Sequence, residues 1–302
     1  MNTAVSRVTQ RSNGQQAIIG LQASQRRLAV LQAKMSSGKA ITKPSDDPNA
    51  TFSALQFRGE QARFTQWSRN AGDGLSLLKV ADGQLQSMTQ QVQRAKVLMI
   101  QGANTITMTS VEREAIATEI DSLREGLMMS ANFTYLGRPI FGGTTTGDSA
   151  FDSTTGAYVG DTIPVSRTAG PASTVRVDTN GAEAFTTTGT PSGTTIFEVL
   201  TSAAAHLRNN PSGLAADSAH LDSVLGSLST AQAQIGSATN RLENLKSVAD
   251  AHTLTLAQSI SGVEDTDLTK TILDLTTQQT SYQAALQATA KIVQPSLMDF
   301  LR

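Results

Sequence analysis

At 302 residues the chain is long enough for more than one domain and for a sizeable core, yet only 16% of it is charged and its net charge is −1. An average soluble protein carries about 25% charged residues, so the polar faces here are mostly Gln, Ser and Thr, which lose their water at lower cost than charges do. The absence of cysteine excludes a disulfide framework, a thiolate nucleophile and a cysteine-ligated metal. No apolar run reaches about 18 residues and no signal-like start is present, which argues against a membrane span and ordinary signal-peptide secretion.

Residues 1–44 read as an N-terminal helical segment. Leu21, Leu28 and Met35 recur every seventh residue, with Ile18 and Leu31 beside them. No acidic residue precedes Asp46, while Arg7, Arg11, Arg26, Arg27, Lys34, Lys39 and Lys43 are basic. The last third of the chain tilts acidic, so the two ends are complementary; this reading is preferred to a nucleic-acid or anionic-membrane surface, since for nucleic acid the cations are too sparse and not interleaved with aromatics. Its superficial likeness to an organelle transit peptide is outweighed by the heptad spacing, which continues without a cleavage-like boundary. A narrow seam of this kind is too weak to hold a helix alone, so the expectation is disorder in the monomer and order on assembly.

Gly38 stops that pattern, and Pro44-Ser45-Asp46-Asp47-Pro48 starts the next: Ser45 or Asp46 as a cap, and Asp47-Pro48 in the first turn. Adjacent carboxylates at a helix entry are caps far more often than metal ligands, and no third ligand lies nearby. Residues 45–135 then read as the N-terminal half of a helical rod. Leu78, Ala81, Leu85, Met88, Val92, Ala95 and Met99 alternate steps of three and four, Gly72 and Gly74 are candidate kinks, and Thr109-Ser110-Val111-Glu112 has the form of a capping box. The Ile116, Ile120, Leu123, Leu127 stripe that follows predicts an antiparallel partner helix.

From 136 to 195 helical periodicity is lost and Gly, Thr, Ser and Asp dominate. This is a β-rich insertion with brief strands expected at Ala157–Val159, Thr162–Val165 and Thr174–Val177. Gly142-Gly143 lacks the G-K-[ST] of a phosphate loop. Residues 196–262 supply the C-terminal half of the rod, with Leu221, Leu228, Ile235, Leu242, Ala249 and Leu256 seven apart, up to an interruption at Ser261–Asp267. The segment 263–302 carries a seam of Leu268, Ile272, Leu275, Gln279, Tyr282, Leu286, Thr289 and Val293, again disordered in the monomer by expectation. It is expected to lie beside the Leu21, Leu28, Met35 row, with Gln279 and Thr289 facing other subunits. The fold class is therefore mainly α: a long antiparallel helical bundle built from both ends, with a small β insertion.

No metal, cofactor or catalytic set emerges. His206, His220 and His252 lack companions, no hydrolase or dinucleotide fingerprint occurs, and Asn49-Ala50-Thr51 and Asn132-Phe133-Thr134 match the glycosylation acceptor by chance inside helical pattern. The chain is read as a structural subunit and not an enzyme.

Three stretches carry a family resemblance: Ser36-Ser37-Gly38-Lys39 through Pro44-Ser45-Asp46-Asp47-Pro48, then Gly137-Arg138-Pro139-Ile140-Phe141-Gly142-Gly143, and Ser296-Leu297-Met298-Asp299-Phe300-Leu301. With them the chain resembles the bacterial flagellin superfamily from end to end. The proline-bounded turn is more similar to the hook–filament junction proteins than to filament flagellins, whereas Pro139 and the final Arg302 depart from the junction pattern. The resemblance implies an extracellular flagellar subunit, exported unfolded without a cleavable signal through the type III apparatus with a chaperone on its C-terminal helix. Its implied neighbours are a ring of its own copies, hook-associated protein 1 and flagellin.

Overall fold

The computed structural model describes residues 3–104 and 108–293. The chain is mainly helical: α1 (Thr3–Ser37), α2 (Pro48–Gly102), α3 (Ser110–Ala131), a four-residue α4 (Gly181–Ala184), α5 (Ile196–Asn209), α6 (Leu214–Glu264) and α7 (Leu268–Val293). Two short antiparallel hairpins lie between α3 and α4: β1 (Thr134–Tyr135) with β2 (Arg138–Pro139), and β3 (Ser166–Gly170) with β4 (Ser173–Arg176). Two compact units result, Met1–Ala62 with Thr253–Arg302, and Arg63–His252, so the division falls inside α2 and α6.

The core of the Arg63–His252 unit is built from the stripes read in the sequence. On α2, Leu78, Ala81, Leu85, Met88, Val92, Ala95 and Met99 are all at most 1% exposed. Ile116, Ile120 and Leu127 of α3 join them, with Leu221, Leu228, Ile235 and Leu242 of α6. Seven-residue spacing keeps each set on one face of its helix, and burial of that face is what holds such long helices in place. Neither Gly72 nor Gly74 breaks α2; Gly74 instead lies where a β-carbon would meet Leu242 and Val177.

α3 opens on the predicted capping box: Thr109 Oγ1 accepts from Glu112 N (3.3 Å), and the Glu112 carboxylate accepts from Thr109 N (2.7 Å). α3 packs against α5, and Arg208 bonds Glu114 and Asp121 across that contact. A second capping box, Thr195 with Glu198, starts α5; it has the same Thr-x-x-Glu form and is legible in hindsight.

The insertion differs in detail from its reading. Thr174–Arg176 is strand, paired with Ser166–Gly170, whereas Thr162–Val165, also expected as strand, has no regular structure. Tyr158 makes only an isolated bridge, to Phe151. Side chains outrank strand propensity in so short a segment: Phe141, Phe151, Phe185 and Phe197 form a buried aromatic cluster with centroids 4.8–5.6 Å apart. Asn132 sits at its edge, accepting from Ala150 N and Phe151 N and donating to Phe151 O, so its amide is fully engaged in structure. Asp161 closes a loop by accepting from Thr144 N, Thr144 Oγ1 and Ile163 N. These bonds hold its carboxyl below the ordinary aspartate range, the Thr144 hydroxyl contributing most.

Candidate assembly interface

Between α1 and α7 there is no thick core. α1 presents Ala17, Leu21, Ser24, Leu28, Leu31 and Lys34, all half-buried, and α7 presents Thr271, Leu275, Gln278, Tyr282, Ala285 and Thr289. Of these only Thr271 and Leu275 are buried. Steps of three and four on both helices give a seam of coiled-coil type. Two of its polar members satisfy each other: Gln278 Nε2 donates to Ser24 Oγ at 2.6 Å. A half-buried amide and hydroxyl of this kind favour one register, because a slip leaves both unpaired.

Of the residues singled out in the sequence, Leu21, Leu28, Leu275, Tyr282 and Thr289 fall on this seam. Met35, Leu268, Ile272 and Leu286 are 41–51% exposed, and Gln279 is exposed with them. The Val293 side chain and residues 294–302, including the Ser296–Leu301 stretch, lie outside the described residues. Two stripes of equal spacing run along α7, offset by one step, and hydrophobicity favours the Leu268–Ile272–Leu286 one. The chain uses the other, with Thr271, Gln278 and Ala285, against its own α1. Its more apolar face is left open, together with Ile18, Ile19 and Val30 of α1. An open groove of about 520 Å³ follows the pair, lined by Arg26, Arg27, Val30, Leu31, Asp274 and Gln278 among others.

A clasp joins the two helices at one end. Gly38, at φ 69°, ends α1, and the next residue pairs with Asp265 as an isolated bridge: Ala40 N donates to Glu264 O (2.6 Å) and Thr266 N to Gly38 O (2.9 Å). Side chains repeat the link. Lys39 Nζ lies 2.7 Å from Asp265 Oδ1 and 3.3 Å from Glu264 Oε2, and Arg58 Nη2 lies 2.7 Å from the same Glu264 oxygen. Glu264 is buried, so the two cations offset its desolvation. The Lys39 hydrogen bond, then that from Ser261, holds the Asp265 carboxyl below its ordinary range and Lys39 above its own. The interruption at the end of α6 is correspondingly short: Ser261, Gly262 and Val263 remain helical.

The Pro44–Pro48 turn divides its labour differently from the sequence reading. Asp46 closes the turn behind it, accepting from Thr42 N, Thr42 Oγ1 and Lys43 N at 2.9–3.0 Å. Those bonds lower its pKa, the Thr42 hydroxyl first. Asp47 caps α2 through Ala50 N (2.9 Å), and Pro48 takes the first helical position, where its missing N–H costs nothing.

The chain matches the model of the bacterial flagellin N-terminal helical region over residues 8–146 and that of the C-terminal helical region over 219–301. The chain belongs to the bacterial flagellin superfamily. Flagellar hook-associated protein 3 of Escherichia coli (strain K12) is 28% identical over 295 residues, 91% of this chain and 93% of that protein. Its Salmonella typhimurium counterpart is 27% identical, covering 90% and 92%, and the flagellin of Bacillus subtilis (strain 168) is 25% identical, covering 89% and 91%. Among solved structures, one titled as a putative flagellar hook-associated protein from Vibrio parahaemolyticus superposes with a TM-score of 0.67 at 21% identity, over 73% of this chain and all of that one. Bacillus cereus FlgL gives 0.58 at 21% identity, over 67% and 97%. Over the parts they cover, these structures share the fold of long helices with small two-stranded sheets.

Two of the three histidines take structural places within this flagellin-superfamily fold, and His220 is exposed. His252 stacks on Phe64 at 4.6 Å, and His206 lies against the buried Asp217, which Ser202 also bonds. Ser202 Oγ, His206 and Asp217 are not strung as a nucleophile relay, since serine and histidine both address the carboxylate. Among the described residues no group of three His, Asp or Glu side chains is placed to hold a metal.

Proposed function

We propose that this chain is the structural subunit joining the flagellar hook to the filament, and that it works by assembly of its paired terminal helices. The observation that carries this is the similarity to two hook-associated 3 proteins over at least nine-tenths of both chains. The open faces of α1 and α7 support the mechanism: a low-charge, partly apolar surface left uncovered by its own chain is what a neighbour can cover at small desolvation cost. The interface residues are Leu21, Leu28, Met35, Leu268, Ile272, Leu275, Gln279, Tyr282, Leu286, Thr289 and Val293, some within the chain's own pair and the exposed ones toward other copies. The Pro44–Pro48 turn starts α2, and the Lys39 clasp ties the end of α1 to the end of α6.

On this reading the partners are a ring of copies, hook-associated protein 1 on one side and flagellin on the other. The subunit reaches the flagellar tip through the type III apparatus, escorted by an export chaperone and without a cleaved signal. Deleting the gene tests this: filaments are expected to be lost from hooks, and filaments of normal length still attached would refute it. A second reading, filament flagellin itself, draws on the full-length similarity to the Bacillus subtilis protein. It predicts that purified protein polymerises alone into long filaments, which the junction reading does not.

A further inference from the structure

α7 carries three parallel rows of side chains, and the chain turns two of them inward in a choice that hydrophobicity does not favour. Leu275, Tyr282 and Thr289 form the central row, on the side that meets α1. On one side of it run Thr271, Gln278 and Ala285, which complete the seam. On the other run Ile272, Gln279 and Leu286, all exposed. Each flank repeats every seventh residue, so either one can join the central row in a seam with a partner helix. At 3.6 residues per turn, exchanging the flanks takes a turn of α7 about its own axis of about 50°.

Little resists that turn. Among the described residues no ion pair joins α1 to α7, and the side-chain hydrogen bonds between them come from Gln278 Nε2, which donates to Ser24 Oγ (2.6 Å) and to Ser24 O (3.4 Å). Thr266 and Asp267, between α6 and α7, are not helical, so α7 does not move as an extension of α6. Thr266 N is itself bonded to Gly38 O, which lets α7 turn with the clasp closed. At that end the turn gives up the 2.8 Å bond between the Thr266 and Thr271 hydroxyls.

The two arrangements draw on unlike interactions. That of the structure satisfies Ser24 and Gln278, whereas the turned one covers Ile272 and Leu286 at the expense of Thr271 and Ala285. Such a pair is a two-state element that an outside contact can bias. We propose that the choice of seam gates self-association: turned, α7 hides its apolar flank against its own α1, and in the arrangement of the structure it offers that flank to a neighbouring copy. The proposal rests on the assembly reading above and adds a regulation to it. What covers the flank in the turned chain is α1, whose half-buried Leu21 and Leu28 already form the other side of the seam. A neighbour favours the arrangement of the structure because only there is the flank free to be covered.

The chain has no cysteine, so single introduced thiols report on each row. In the purified full chain, alkylation at Ala285→Cys and at Gln279→Cys should both be several-fold slower than at Thr280→Cys, an exposed position on the side of α7 away from α1 in either arrangement. Adding Gln278→Ala, which removes the tie to Ser24, should speed the reaction at 285 and slow it at 279, each by about twofold or more. The same substitution should raise several-fold the concentration at which light scattering detects oligomers. A thiol at 279 that reacts as fast as one at 280 would overturn the proposal. So would Gln278→Ala moving both rows in one direction, which is simple loosening, or leaving the onset of oligomers unchanged. These failures are separate from that of the junction reading, which falls if the deletion strain keeps its filaments.

Discussion

In the Arg63–His252 unit four phenylalanines and the whole Leu78–Met99 row are at most 1% exposed; in the other unit the buried apolar side chains among the described residues are Ala54, Leu256 and Leu275. One unit is held by apolar area, at about 25 cal/mol per Å² removed from water. The other relies on a polar-seamed helix pair, one hydrogen-bonded register pin and a charged clasp. The contrast divides the molecule's tasks. The first unit buries its apolar rows within itself, whereas the terminal helices leave their most apolar face exposed.

The largest effect that would test this comparison is a cavity in the first unit. Phe197→Ala, which empties a site packed against Phe151 and Gly156, should cost about 3–5 kcal/mol and show as a large drop in thermal midpoint. Glu264→Gln should cost about 1–2 kcal/mol, because it leaves Arg58 and Lys39 facing a neutral amide. Its readout is faster amide exchange in α1 and α7, with Arg63–His252 unchanged. Leu28→Ala on the half-buried seam should cost no more than about 1 kcal/mol. If Leu28→Ala matched Phe197→Ala, the two units would not differ in the way described.

The smallest effect is the pH dependence of the clasp. The folded pKa of Asp265 is depressed, so its contribution is present above the unfolded value, about 3.9, and is lost as pH falls through the lower folded one. Lys39 is raised, so its contribution is present below about 10.4 and is lost as pH rises through the higher folded value. Exchange rates in α1 and α7 should therefore show no clasp-dependent change between about pH 5 and 9, once corrected for intrinsic exchange, and should rise below pH 4. Lys39→Met together with Ser261→Ala should remove that acid limb; its persistence in the double variant would assign the limb to other carboxylates.

Much of this was legible in the chain. The buried rows of α2, α3 and α6 follow from seven-residue spacing of Leu, Ile, Val, Met and Ala, since a helix presents such residues to one side whatever they pack against. The Thr109 capping box and the Gly38 stop are local chemistry, completed within four residues, and so were readable from order alone. Asp46 and Asp47 were recognised as turn residues, but the cap expected at Ser45 or Asp46 is Asp47, a choice that depends on backbone angles that sequence does not state.

What tertiary structure decided was the choice among equivalents. Along α7 the two stripes share one spacing, and periodicity cannot rank them; only the position of α1, fixed by the Lys39–Asp265 bridge and by Ser24 opposite Gln278, selects Thr271, Leu275, Gln278 and Tyr282 for the inside. In the insertion the aromatic cluster and the bonds of Asn132 and Asp161 join residues far apart in the chain, contacts that no local pattern records. Periodicity fixes which residues share a face, because that is a property of one helix. What each face meets is a property of two, and it required the fold.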